Sequence, residues 1–137
     1  MSDTTNFNQM LIDEFRANDG KVSGQFDGWP LVLITTTGAK SGLARTSPVV
    51  HTNDGDDVII IASKAGAPSH PDWYRNLKAN STVTVELPGD TYQAEAIEAT
   101  GEERDRLYAA QAEQMPNFAE YETLTDRKIP VIRLKRI

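Results

Sequence analysis

Two short stretches of this 137-residue chain hold the residue types with which proteins capture anions. The first is TTTGAKSGLART, residues 35–46, in which Gly38 and Gly42 bracket Lys40 and Ser41, with Arg45 and Thr46 just beyond. The second is ASKAGAPSHPDWYRN, residues 62–76, with Ser63, Lys64, Gly66, Ala67 and Pro68 ahead of Trp73 and Asn76. Backbone N–H groups exposed beside glycines, with Lys and Arg near them, form a nest for phosphate or carboxylate. A helix start, as Pro71 suggests for the second stretch, favours anions too. Each stretch also has a plainer reading. The first can be a tight turn with solvated cations, and the second a loop whose Trp73 simply packs in the core. The first is not a P-loop: Ala39 rather than glycine precedes Lys40, and a strand follows it.

The charge balance makes these cations informative. The formal net charge is −6, which disfavours non-specific binding to a phosphate backbone and argues against a nucleic-acid partner. There is no cysteine, so thiol nucleophiles, disulfides and cysteine metal sites are excluded. His51 and His70 lie 19 residues apart in no metal-binding pattern, and no metal site is expected. No apolar run reaches the ~20 residues of a membrane span, and the N-terminus lacks a basic leader. A cytoplasmic location is the expectation. An amphipathic first helix bearing Phe7, Met10, Leu11 and Phe15 leaves a peripheral membrane contact open.

The elements that position the two stretches follow from periodicity. Residues 5–19 read as an amphipathic helix ended by Gly20. Strands are expected at 31–37, 45–52, 58–63, 81–87, 91–99 and 129–137. Pro48 suggests an edge or a bulge, Asp54-Gly55 a hairpin turn, and the apolar strand at 58–63 burial on both faces. A short helix should start at Pro71. A longer one should follow Thr100, with Glu103 completing a capping box and the charged run at 102–105 solvated. A turn or short helix is expected at 116–124. Hairpin-linked strands with few helices predict a single α+β domain over 1–137, a mainly antiparallel sheet closed or half-closed into a barrel with peripheral helices.

Both stretches, with TDRKIPVIRL at 125–134 and GEERDRLYA at 101–109, resemble the deazaflavin-dependent nitroreductase family of split β-barrel oxidoreductases. The resemblance covers nearly the whole chain after residue 30. It implies binding of reduced coenzyme F420, a deazaflavin with a long anionic phospholactyl-oligoglutamate tail, and hydride transfer from its C5 to a small electrophile. By resemblance, Lys40, Ser41, Arg45 and Lys64 meet the phosphate and the start of the tail, helped by N–H groups near Gly38 and Gly42. Thr46, Pro48, Val49, Ser63, Gly66, Ala67, Pro68, Trp73 and Asn76 line the rest of the cofactor, with Pro48 and Val49 as ring floor. Arg133, Lys135 and Arg136 are outward-facing or extend the tail groove.

Family members that reduce nitroimidazoles tend to carry several tyrosines spaced by three in the C-terminal segment. Here the corresponding positions are Met115, Phe118 and Tyr121, which implies a more apolar acceptor pocket. A quinone or enone then becomes at least as good a substrate as a nitro compound. Tyr121 is either the donor to a developing oxyanion or a lid residue that only packs. Flavin mononucleotide is the rival cofactor, since the same barrel architecture serves flavin enzymes, and a non-catalytic F420-binding protein is a further alternative. Either a monomer or a homodimer is compatible with the sequence.

Overall fold

The structure, a computed structural model, describes residues 3–22, 28–67 and 69–137, with side chains from residue 9 onward except that of Ala65. Six antiparallel strands close into a barrel in the order β1-β2-β3-β6-β5-β4, with β4 returning to β1. They are β1 (Leu31–Thr37), β2 (Ala44–Asp54), β3 (Asp57–Ile61), β4 (Thr82–Leu87), β5 (Asp90–Glu98) and β6 (Val131–Arg136). Among the described residues four α-helices surround the barrel: α1 (Asp3–Ala17), α2 (Asp72–Ala79), α3 (Gly101–Gln114) and α4 (Asn117–Thr123). The expected split-barrel architecture is therefore present, with each expected element shifted by a few residues at most.

Strand alternation sorts the apolar residues into three sets. Val32, Ile34, Val49, Val58, Ile60, Val83, Val85, Ala94, Ile132 and Leu134 fill the barrel interior. Leu77 of α2 joins them, with Trp73 and Tyr74 packed alongside, so α2 stoppers one end. Each such side chain contributes on the order of 1.5–3 kcal/mol by leaving water. On the outside, α3 and α4 cover Ile59, Ile61 and Val131 through Leu107, Tyr108 and Phe118. α1 covers Leu31 and Leu33 through Leu11, Ile12 and Phe15.

The last set corrects the membrane expectation. Leu11 is 9% and Phe15 4% exposed, so the apolar face of α1 is already used against the sheet. Of the four residues assigned to a membrane face, Met10 alone is shown exposed; the Phe7 side chain lies outside the described set. Among the described residues no helix is long and apolar enough to cross a membrane.

Other local expectations are also revised. Thr100 is the N-cap of α3, but its side chain makes no capping hydrogen bond, so the capping box does not form. Within the run expected to be solvated, Arg104 is buried. Its guanidinium donates to Ile129 O at 3.1 and 2.8 Å, pairs with Glu122 at 3.2 Å and lies over the Tyr108 ring. A cation placed among acidic residues reads as surface, yet here it ties α3 to α4 and to the approach to β6. The β2–β3 turn is the two-residue loop Gly55-Asp56, with glycine first at φ +62°.

Candidate cofactor site

One end of the barrel gathers every segment singled out for chemistry. There β1, β3 and β5 finish, and the connections 38–43, 62–71 and 99–130 leave the strands. The tight turns at 55–56 and 88–89 lie at the other end.

At the functional end the seam between β2 and β3 opens. β1 and β2 pair along their whole shared length, from Leu31↔Val50 to Thr37↔Ala44. β2 and β3 pair only from Asp54↔Asp57 to His51↔Ile60, and then part. The first seven residues of β2 thus have a β1 partner and no β3 partner. This resolves the position of Pro48. The hydrogen bonds His51 N to Pro30 O and Gly38 N to Leu43 O mark which β2 residues point their N–H groups at β1, and Pro48 is out of phase with them. Its missing donor faces the open side, so a proline is tolerated within a closed barrel because its strand is locally an edge.

Along this open edge alternate residues diverge. Thr46, Pro48 and Val50 face outward, and Thr46 Oγ1 lies 2.8 Å from Thr35 Oγ1 across the strand pair. Val49 faces inward and is 9% exposed within the barrel core. The expected ring floor of Pro48 with Val49 is therefore corrected: neighbours on a strand point to opposite faces, and only Pro48 turns its side chain to the outer one.

The facing lip is the segment after β3. Strand structure stops at Ile61, two residues short of expectation, and Ser63 instead precedes a single 3-10 turn, Lys64–Gly66. Lys64 sits at φ +47°, in the left-handed region that few non-glycine residues adopt, and its Nζ lies 3.4 Å from Ser69 Oγ. Gly66, at φ +80°, packs directly on α4; a Cβ there would lie 2.9 Å from Leu124 Cβ and 3.1 Å from Tyr121 O. Pro68 lies outside the described residues.

Asn76 joins the two stretches. Its Oδ1 accepts the Ala39 N–H at 3.0 Å, and its Nδ2 donates to Thr36 Oγ1 at 3.2 Å. The 38–43 turn is thereby pinned to α2, the helix that the 62–71 segment leads into. The turn also satisfies itself. Gly38 N donates to Leu43 O, Gly42 N to Gly38 O, and Leu43 N to Ser41 Oγ. Of the N–H groups near Gly38 and Gly42 expected to help hold an anion, those of the two glycines are engaged within the turn, and those of Lys40 and Ser41 take part in none of these bonds.

The cations divide into two sets. Arg16, Arg75, Lys78, Arg104, Arg106, Arg133 and Arg136 all pair with carboxylates. Lys40, Arg45 and Lys64 are exposed and form no ion pair among the described residues. Lys21, Arg127, Lys128 and Lys135 share with these three the lack of an ion pair among the described residues. In a chain of net charge −6, three cations left unpaired at one end suit a polyanionic ligand. Arg133 and Arg136 do not extend that surface. Arg133 is held by Asp54 and Asp57 at 2.7 and 2.8 Å, and Arg136 by Asp90. Lys135 lines a cleft of about 710 Å³ with Asp56, Asp57 and Asp90 around the two tight turns, far from the open seam.

Above the outer face of β2 and β3 lies α4. Met115 and Tyr121 are half-buried against the cluster under α3, which Val50 also joins. Phe118, 5% exposed, belongs to that cluster's interior, and its carbonyl accepts the Tyr108 hydroxyl. Its assignment to an acceptor pocket is corrected to a core role. Asn117 Nδ2 donates to the Tyr121 hydroxyl at 2.8 Å, which leaves the phenolic proton free for another acceptor. Asn117 escaped the sequence reading, as did Arg127, whose guanidinium reaches Ala62 O, Ser63 O and Ala67 O at 3.1, 2.7 and 2.9 Å. Asn117 stands four residues before Tyr121 on one helix face, a signal available in the sequence. Arg127 lies 60 or more residues from its partners, which no local pattern announces.

A family model described as F420H(2)-dependent quinone reductase matches residues 9–136. The chain belongs to the F420H(2)-dependent quinone reductase family. It is thus an oxidoreductase that uses coenzyme F420, as the unpaired cations beside an open seam already suit. An F420H(2)-dependent quinone reductase of Mycobacterium tuberculosis is 34% identical over 126 residues, 89% of this chain and 85% of that protein. A solved structure described as an F420-H2 dependent reductase is 44% identical, with a TM-score of 0.72 over 77% of this chain and 94% of that one. Another, described as a domain-swapped dimer, is 39% identical, with a TM-score of 0.73 over 97% and 98% of the two chains.

Proposed function

We propose that this family member reduces a hydrophobic quinone-type acceptor, with coenzyme F420 lying along the open seam between β2 and the 62–70 segment. The reduced cofactor, when bound, supplies the hydride. The observation that carries the reading is the set of unpaired cations Lys40, Arg45 and Lys64 around that seam. Their side chains meet the phosphate and the anionic tail. Thr46 and Pro48 from β2, with Ser63, Gly66 and Ala67 opposite, flank the ring and ribityl portions. Asn76 acts by holding the 38–43 turn, since both ends of its amide are engaged. Trp73, half-buried against the barrel interior, closes the end of the site with its exposed edge.

Met115 and Tyr121 take the acceptor. Met115 offers an apolar, adaptable surface, and the outer face of β2 continues it through Val50. As the acceptor oxygen gains charge, the Tyr121 hydroxyl donates to it, oriented by Asn117. Conjugated carbonyl compounds need one such donor near the oxygen and apolar walls elsewhere.

The test is a fluorescence titration with coenzyme F420 and, separately, flavin mononucleotide at low and high salt. Oxidation of the reduced deazaflavin is then followed with a quinone, an enone and a nitroimidazole. Salt-sensitive binding of the deazaflavin and turnover of the quinone are expected. Binding of flavin mononucleotide alone would overturn the reading of the cations, and turnover of the nitro compound alone that of the acceptor pocket.

A further inference from the structure

Arg127 differs from every other arginine whose contacts are described at the barrel ends. It lies in the segment between α4 and β6, half-buried, and forms no ion pair among the described residues. Instead it reaches back to the segment after β3. Nε donates to Ala67 O at 2.9 Å, Nη2 to Ser63 O at 2.7 Å, and Nη1 to Ala62 O at 3.1 Å. Nη1 also lies 3.0 Å from His70 Nδ1. Guanidinium carries donors only, so His70 Nδ1 is the acceptor and its proton sits on Nε2. One planar cation therefore holds four acceptors on Ala62, Ser63, Ala67 and His70, around the single 3-10 turn Lys64–Gly66.

We propose that Arg127 is a positioning residue that sets the shape of the 62–70 segment, and that its hold is complete only while the His70 imidazole is neutral. Protonation would set an N–H of the ring against an N–H of the guanidinium and bring two positive charges to 3.0 Å. The surroundings of His70 act in the same direction on balance. Burial comes first, then Arg127 from the β6 approach and Arg75 from α2; all three hold its pKa below the usual 6.5. Glu98 of β5 opposes them, but its carboxylate already accepts from Tyr74 and Lys78 of α2. On the segment itself Lys64 is tied to Ser69, next to His70, and the Tyr74 ring lies 4.7 Å from the imidazole. Because the pKa is depressed in the clamped state, the clamp is whole above pH 6.5 and weakens as pH falls below it. That the segment meets the cofactor rests on the function proposed above; the clamp does not.

Hydrogen exchange of the full chain without cofactor tests it, with α3 as internal reference. Arg127→Lys keeps the charge but loses the fork. Exchange across 62–70 should then accelerate at least tenfold, with α3 unchanged. In the wild type, lowering pH from 7.5 to 5.5 should accelerate exchange in this segment severalfold beyond its intrinsic pH dependence. In His70→Gln, which keeps an acceptor that does not titrate, that acceleration should vanish. Unchanged exchange in Arg127→Lys overturns the proposal, and equal acid sensitivity in His70→Gln overturns the role of the imidazole. Coenzyme affinity is measured on the same samples. Faster exchange with unaltered affinity upholds the clamp and instead overturns placement of the cofactor against this segment.

Discussion

Asn76 Oδ1 accepts the Ala39 N–H at 3.0 Å, across 37 residues of sequence. This bond, with the one from Nδ2 to Thr36 Oγ1, fastens the basic turn of one hairpin to the helix that follows the other basic segment. Thr36 is 1% exposed, and its hydroxyl accepts from the Asn76 amide. Asn76→Ala should lower stability by about 1–3 kcal/mol, the usual cost of stranding a buried polar group. Thermal unfolding checks the stability. Coenzyme affinity should weaken in parallel, because Lys40 rides on the same turn.

Lys40 and Arg45 form no ion pair in the described structure, so removing them should cost the fold little. Binding is another matter. Lys40→Ala with Arg45→Ala should weaken coenzyme F420 by at least about tenfold and flatten the salt dependence of its affinity. A titration at two ionic strengths measures both. Wild-type affinity in the double variant would make the turn a turn and nothing more.

Gly66 and Gly89 have similar positive φ values, +80° and +71°, but different surroundings. A Cβ at Gly89 meets open space, whereas at Gly66 it meets Leu124 and the Tyr121 carbonyl. Gly89→Ala should cost only backbone strain, about 1 kcal/mol. Gly66→Ala should cost more, about 2–4 kcal/mol, and displace α4. Denaturant unfolding of the pair separates the two contributions, and quinone turnover should fall only for Gly66→Ala.

Tyr121→Phe keeps the ring edge against Phe118, whose centroid lies 5.1 Å away, and removes only the hydroxyl. Cofactor affinity and melting temperature should hold while the turnover number falls by about 10- to 100-fold. Single-turnover oxidation of the reduced cofactor isolates that step. An unchanged rate would assign the proton to water and leave Tyr121 as packing.

At the other end, hydrogen bonds from Arg106 and Arg133 hold the Asp54 carboxyl at about 2, below its ordinary 3.8. A depressed pKa contributes stability that is present above the unfolded value and lost as pH falls through the folded one. The difference in melting temperature between wild type and Asp54→Asn should be largest above pH 4 and should close between pH 4 and 2. A difference that persists at pH 2 would show that the carboxylate charge is not what matters.

The sequence by itself determined nearly all of the barrel and the identity of its basic loops. Period-two alternation, the glycines of the turns and the acidic background around Lys40, Arg45 and Lys64 are local features, and local features survive without coordinates. Tertiary structure decided which side chains are free to act. Val49 and Phe118 have the right chemistry for a binding surface, but strand parity and helix phase turn them into the core. Within the basic turn the N–H groups of Gly38 and Gly42 close the turn itself, which only the folded loop shows. Arg104 and Arg127, two cations in charged surroundings, become internal ties because the carbonyls they satisfy come from segments 25 and 60 to 65 residues away. Pairing at that distance depends on how the closed barrel brings chain ends together, and no short window of sequence carries that information.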